Sequence, residues 1–179
     1  ELTLWLLFAL IIRAAYMAVL RPVLDSADAV YYLECAREFP PSLTYAAKWR
    51  IPILYPALVS LIHLVVPDLE WAGLLVSLAM SSLLPLPVWL LSRAMHGRSS
   101  ARMACLAVSL WPWLIDYGCR VAPEALATTL WFSSVWLLAR AIRDGRLWIP
   151  CAAASFFALH LARPEGTFLF LASPVGAFL

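Results

Sequence analysis

The sequence predicts an all-α membrane protein, a polytopic bundle of transmembrane helices whose first loop is extracytoplasmic and carries juxtamembrane amphipathic helices. Composition is the first reason, because 64% of the 179 residues are apolar and only 13% are charged. Soluble domains have about 45–50% apolar and about 25% charged residues. The second reason is a series of long apolar runs, and the third is that half of the twelve arginines gather in two short turns, at 93–102 and 140–146.

The apolar runs predict six membrane spans, because a helix needs about 20 residues to cross the hydrocarbon core. They lie at residues 4–20, 71–95, 101–117, 123–142, 147–162 and 167–179. No small-residue cleavage site follows the first run, so we expect a retained span and not a signal peptide. The chain begins with Glu1 and stops inside an apolar run, so we expect it to be the N-terminal part of a larger membrane domain, inactive without the rest.

The run at 51–66 is short, contains two prolines and leaves two topologies open. If it spans, the arginine-rich turns at 93–102 and 140–146 lie on the same side as the acidic loop that directly follows the first span. If it lies at the interface, both turns face the cytoplasm, as the positive-inside rule expects. We adopt the second topology, in which the loop 21–70 is extracytoplasmic and carries interfacial helices at 26–38 and 51–66.

This topology places nine of the eleven carboxylates on the extracytoplasmic face. They are Asp25, Asp28, Glu34, Glu38, Asp68, Glu70, Asp116, Glu124 and Glu165. The alternative topology would separate Asp28 from Glu124 by the bilayer. The arginine distribution alone therefore predicts an acidic site outside the cytoplasm.

The helix predicted at 26–38 would align Asp25, Asp28, Tyr32 and Cys35 along one face, since residues three and four apart are neighbours on a helix. An apolar stripe of Ala29, Val30 and Leu33 lies beside it, as on a helix at a membrane surface. A structural interpretation is also open. Asp25 would then be the N-cap and Asp28 a first-turn carboxylate that complements the helix N-terminus.

The same loop resembles a known signature. Asp28, Tyr32, Ala36 and Arg37 are similar to the first extracytoplasmic loop of the GT-C membrane glycosyltransferases that use lipid-phosphate sugars. The protein O-mannosyltransferases of glycosyltransferase family 39 and the aminoarabinose lipid A transferases are the groups it resembles. A glutamate usually follows the aspartate in that family, and Ala29 stands there in this chain.

Three further matches follow in the family's order. Residues 48–56, KWRIPILYP, are similar to its basic stretch rich in proline and aromatic residues. Pro123 and Glu124 resemble its second acidic position, and residues 163–166, RPEG, resemble a turn common in these proteins. The ordered set covers nearly the whole chain and implies the N-terminal half of a GT-C membrane domain.

The resemblance implies transfer of a sugar from a polyprenyl-phosphate donor to a hydroxyl or amine of a protein, lipid or glycan, with inversion. Such a transfer needs a base for the acceptor's proton and cations for the departing phosphate. Asp28 is the expected base, with Asp25 and Glu124 as further catalytic candidates. Substrate contacts are expected from Tyr32, Lys48, Arg50, Tyr55, Arg163 and Glu165.

Each of these residues also has a structural interpretation. Lys48 and Arg50 suit headgroup anchors, Arg163 suits an interfacial arginine paired with Glu165, and Glu124 suits a first-turn carboxylate. No cofactor is firmly expected, although Asp28 and Glu124 could together bind Mg²⁺ or Mn²⁺. The four cysteines show no metal-ligand spacing, which favours apolar filling.

Two other function classes compete with the enzyme. A transporter would show paired interrupted helices in repeated halves, which are not evident in the sequence, whereas a non-catalytic membrane scaffold is harder to exclude. The basic residues do not gather on one soluble face, so nucleic acid is not an expected partner. We expect a multi-pass protein of the bacterial plasma membrane, with its site on the periplasmic or extracellular side and a role in protein or cell-envelope glycosylation.

Overall fold

The computed structural model describes residues 1–20, 27–38, 40 and 43–164 of the chain. Within these residues the protein is helical and contains no β-strand. The helices are α1 (Leu2–Leu20), α2 (Ala27–Ala36), α3 (Leu43–Trp49), α4 (Leu54–His63), α5 (Leu69–Leu83), α6 (Pro85–Leu110), α7 (Pro112–Tyr117), α8 (Glu124–Asp144) and α9 (Ile149–Ala162), with a 3-10 turn at Arg146–Trp148. The predicted segment 167–179 lies outside the described residues.

Three stretches of the described chain are long and apolar enough to cross a membrane: Leu2–Val19, Leu69–Leu110 and Glu124–Asp144. The stretch Leu69–Leu110 contains both α5 and α6. The all-α membrane-bundle fold class predicted from the sequence is therefore confirmed.

The chain reverses its direction inside α6, at Gly97. This residue has φ +85° and ψ −174°, a backbone conformation that favours glycine because it has no Cβ. Beyond the reversal, the Cys105 thiol donates to the Pro85 carbonyl at 3.5 Å, and Ala101 packs in one cluster with Trp89. The two halves of α6 are therefore antiparallel neighbours.

The predicted run 101–117 is not one helix. Helix α6 ends at Leu110, Trp111 is extended with ψ 117°, and α7 starts at Pro112. Proline has no N–H to donate and restricts the residue before it to extended conformations. Hydropathy does not detect the break that Pro112 imposes, and the membrane span expected at 101–117 stays a prediction.

The run at 51–66 contains the ten-residue helix α4, which is about 15 Å long and so about half of a hydrocarbon core. Tyr55 and Val59 are fully buried in a core that includes residues of α2, α5, α8 and α9. Helix α4 thus packs into the bundle at the end where α5 begins. Helix α3, between α2 and α4, was not anticipated from the sequence.

Helix α2 has its apolar side rotated relative to the expected stripe. Ala29, Leu33 and Ala36 are buried, whereas Val30 is 47% exposed. The buried set follows the i, i+4, i+7 spacing of one helix face. Val30 does not share the buried face, because α2 packs into the bundle core through Ala29, Leu33 and Ala36.

The bundle has two chemically different ends. At one end, Glu1 forms ion pairs with Arg98 and Arg102, and the Arg143 guanidinium donates to the Ala94 carbonyl at 3.3 Å. We call this the basic end. Helices α1 and α8 each run from one end to the other, so the end of α1 and the start of α8 lie at the opposite end, which also contains α2, α4, α7 and the end of α9.

Candidate active site

Helix α2 positions the first predicted site residues. Asp28 lies in its first turn and is exposed, and Tyr32 lies one turn further on. The buried side chains Ala29 and Leu33 hold this helix against the core. The Tyr32 ring packs edge-on against Tyr55 with 5.5 Å between centroids, which leaves Asp28 and Tyr32 on the side that faces the start of α8.

Glu124 starts α8 directly after Pro123. The Pro123 carbonyl accepts from the Ala127 N–H at 2.8 Å, so the helix begins at the proline, where a missing N–H costs nothing. One carboxylate oxygen of Glu124 lies 3.4 Å from the Arg163 guanidinium. The other oxygen, Oε2, is buried and accepts no hydrogen bond from any described residue.

Arg163 follows the last residue of α9 and ends that helix. Its backbone is extended, with φ −151° and ψ 129°, and its N–H donates to the Leu159 carbonyl. The side chain is 41% exposed. The end of α9 therefore brings a guanidinium beside the carboxylate that starts α8.

These residues line one cavity of about 170 Å³. Its lining residues are Asp28, Tyr32, Tyr117, Arg120, Val121, Ala122, Pro123, Glu124 and Arg163. Four of the residues predicted from sequence are thus brought together from three separate elements: Asp28, Tyr32, Glu124 and Arg163.

Sequence reasoning missed Arg120 and Tyr117 in this lining. Arg120 forms an ion pair with Asp116 at 2.8 Å, and Asp116 also accepts a hydrogen bond from the Tyr16 hydroxyl at 3.1 Å. Arg120 lies four residues before Glu124 in the same short connection. That proximity was the available signal in the sequence.

Tyr55, expected to contact substrate, does not line the cavity. It is 0% exposed, and its hydroxyl lies 3.0 Å from both the Gly73 carbonyl and the Ser77 hydroxyl. Burial raises the pKa of this phenol well above its ordinary value. In the described structure Tyr55 therefore packs behind Tyr32 and joins α4 to α5.

Four other predicted residues are not placed at the cavity by the described structure. Lys48 and Arg50 are exposed and are absent from its lining. Asp25 and Glu165 lie outside the described residues, so their predicted roles stay predictions.

Asp28 and Glu124 line the same cavity, as a shared cation would require. Among residues 1–20, 27–38, 40 and 43–164, no group of three or more His, Cys, Asp or Glu side chains is placed to hold a metal ion. Mg²⁺ usually keeps several waters and takes one or two protein carboxylates, so a pair of carboxylates is compatible with a metal site but does not establish one. The expectation of Mg²⁺ or Mn²⁺ stays a prediction.

The cavity combines two carboxylates with two guanidinium groups. An exposed carboxylate can accept a proton from a hydroxyl or amine. Guanidinium groups present planar donors that match the oxygens of a phosphate. The cavity therefore combines the kinds of group that removal of a proton and release of an anion require.

Comparison with known proteins identifies the family. Residues 50–175 match the family described as dolichyl-phosphate-mannose-protein mannosyltransferase, a match that includes Glu124 and Arg163 and begins after Asp28. Neither the curated proteins nor the solved structures give a significant match. Since the family match covers more than half of the chain, this protein belongs to the dolichyl-phosphate-mannose-protein mannosyltransferase family of GT-C membrane glycosyltransferases.

Proposed function

We propose that the cavity between α2, α8 and α9 is the place where a sugar passes from a polyprenyl-phosphate donor to a hydroxyl or amine of a protein, lipid or glycan. The family match supports a membrane glycosyltransferase. The observation that carries the finer proposal is that Asp28, Glu124 and Arg163, far apart in the chain, line one cavity.

Asp28 is the general base of this reaction. It accepts the proton of the acceptor's hydroxyl or amine while the acceptor atom forms a bond to the anomeric carbon of the sugar. The bond from that carbon to the phosphate oxygen breaks, and polyprenyl phosphate leaves with the electron pair. A single displacement of this kind inverts the anomeric configuration.

Arg163 and Arg120 stabilise the departing phosphate. Both line the cavity, and positive groups placed where negative charge develops are a large source of catalysis. Glu124 holds Arg163 from one side through its 3.4 Å contact. Its buried second oxygen faces no described donor, and we assign to it a hydrogen bond from the acceptor or the sugar.

The reaction takes place on the extracytoplasmic face of a plasma membrane, in our proposal that of a bacterium. The cavity lies at the end opposite the basic end, and short arginine-rich turns favour the cytoplasm. The donor's phosphate belongs at headgroup level while its chain remains in lipid. A cavity at the end of the spans suits such a substrate.

The experiment that tests this function is sugar transfer by the full-length protein in its membranes, from a panel of polyprenyl-phosphate sugars. Asp28→Asn is compared with Asp68→Asn, the same chemical change outside the cavity. Asp68 caps α5 by accepting from the Trp71 N–H at 2.9 Å, and asparagine caps a helix as well as aspartate does. Transfer should be lost only in Asp28→Asn.

Two results would contradict the proposal. Full activity of Asp28→Asn would exclude this residue as the base. The absence of transfer from every donor, with correctly folded wild type, would favour the scaffold or transporter alternatives.

A further inference from the structure

Arg13 is fully buried although it lies within the first apolar span. Its guanidinium donates to the Val108 carbonyl at 3.1 Å, to the Ala9 carbonyl at 3.2 Å and to the Ser109 carbonyl at 3.5 Å. It also donates to the Ser81 hydroxyl. These four acceptors are uncharged oxygens. The positive charge of Arg13 is therefore stabilised by backbone and hydroxyl dipoles from three helices, α1, α5 and α6.

Val108 and Ser109 lie in the last turn of α6, which ends at the break before Pro112, and this position explains why their carbonyls accept from a side chain. In a continuous helix the Val108 carbonyl would accept from the N–H of residue 112, and Pro112 has none. Arg13 supplies a donor in its place. A cation is also favourable at the C-terminus of α6, where the carbonyl dipoles point.

Contacts around Arg13 hold the following segment, α7 and the connection to α8. The Cys119 thiol donates to the Arg13 carbonyl at 3.3 Å, and the Ser81 hydroxyl donates to the Leu114 carbonyl at 3.0 Å. Gly118 lies so close to α5 that a Cβ there would be 2.5 Å from the Ser81 hydroxyl oxygen. The backbone of α1 and the Ser81 side chain of α5 thus contact this segment.

One turn further along α1, the same face reaches the cavity lining. The Tyr16 hydroxyl donates to one oxygen of Asp116, and the other oxygen of Asp116 holds the Arg120 guanidinium at 2.8 Å. Arg120 lines the cavity. A continuous series of contacts therefore connects the buried guanidinium of Arg13 with the cavity.

We propose that Arg13 is a positioning residue. It donates hydrogen bonds to the carbonyls at the end of α6 that lack backbone partners because of the break at Pro112. It thereby fixes the position of α7, and with it the position of Arg120 at the cavity. Its importance for sugar transfer rests on the function proposed above. Its structural part, the location of residues 112–120, does not.

The first test measures that structural part without an activity assay. Cys119 is fully buried, and burial raises the pKa of its thiol to about 11, so at neutral pH it should react slowly with maleimide. Cys151 is exposed and serves as the internal control. Arg13→Met should increase the rate at which maleimide labels Cys119 by about tenfold or more. A tenfold increase corresponds to a decrease of about 1.4 kcal/mol in the free energy of local opening. Arg93→Met changes an exposed arginine of the basic end and should leave the labelling rate of Cys119 unchanged.

The second test separates positioning from stability. In Arg13→Met the kcat/KM for donor should fall roughly 10²-fold, since misplacement by about 1 Å has effects of that size. Adding Pro112→Ala gives Val108 an N–H partner and should restore thermal stability but not transfer, because a continuous helix carries Arg120 elsewhere. If Arg13→Met does not fold, Tyr16→Phe removes only the bond to Asp116 and should raise the donor KM with little change in Tm.

The outcomes distinguish this inference from the proposed function. Unchanged Cys119 labelling in Arg13→Met overturns the inference, as does normal kcat/KM in a folded but less stable variant. A third outcome is that Arg13→Met increases labelling of Cys119 while the wild type transfers no sugar. That outcome supports the inference that Arg13 positions residues 112–120, and it overturns the proposed function.

Discussion

The Arg163 guanidinium lies 3.4 Å from the Glu124 carboxylate and joins the end of α9 to the start of α8 at the cavity. The two side chains are 41% and 24% exposed. Ion pairs that water reaches typically contribute about 0–1 kcal/mol to stability. We therefore interpret the contact as one that orients two functional groups.

Neutralising either partner should impair transfer far more than folding. We expect Arg163→Gln and Glu124→Gln each to lower kcat/KM by at least about tenfold. The first removes the positive charge that stabilises the phosphate, and the second removes the carboxylate that holds Arg163 in place. The Tm of the purified protein should shift by only a few degrees, as about 1 kcal/mol would. As a control, Arg140→Gln breaks an ion pair of similar exposure, with Asp144 at the basic end, and should retain activity. A loss of kcat/KM in Arg140→Gln equal to that in Arg163→Gln would contradict a specific role of Arg163 in transfer.

Tyr55→Phe should act on stability and not on substrate. The change removes a hydroxyl whose bonds to Gly73 and Ser77 are buried, and such bonds contribute about 1 kcal/mol each. The donor KM should stay at its wild-type value. Tyr117→Phe makes the same chemical change in the cavity lining and should show the opposite pattern, and a raised KM in Tyr55→Phe would restore Tyr55 as a substrate contact.

Gly118→Ala should displace the connection to α8. The added Cβ would lie 2.5 Å from the Ser81 hydroxyl oxygen and 3.2 Å from the Leu114 carbonyl, and overpacking of this kind costs about 1–3 kcal/mol. We expect a lower Tm and faster maleimide labelling of Cys119. Gly97→Ala meets open space, but Gly97 has φ +85° and ψ −174°, a region that essentially only glycine adopts. The change should therefore lower Tm through backbone strain of about 1–3 kcal/mol and leave Cys119 protected.

The proposed orientation of the bundle predicts labelling from opposite sides of the membrane. Cys151 lies near the start of α9 at the basic end, and Glu38 is exposed just after α2. In right-side-out vesicles an impermeant maleimide should label Glu38→Cys, and Cys151 only after the membrane is permeabilised. Labelling of Cys151 from outside would invert the topology and put the cavity on the cytoplasmic face.

Local patterns predicted much of the fold. Apolar runs near the length of a bilayer indicated the long helices, and the arginine-rich turns indicated where the chain reverses. The break at Pro112 was readable from proline chemistry but was masked by hydropathy, which averages over it. The rotation of α2 was not readable, because Val30 and Leu33 have similar hydropathy and only the packed neighbours decide which of them is buried.

For the site, charge and hydropathy in the sequence predicted that the candidate groups lie at the same end of the bundle, because these properties decide which segments enter lipid. The tertiary structure alone decided that Asp28, Glu124 and Arg163 line one cavity, that Arg120 lines it with them and that Tyr55 does not. Those placements depend on the rotation and contact of helices far apart in the chain. Such contacts are set by complementary packing between side chains, which no single segment specifies.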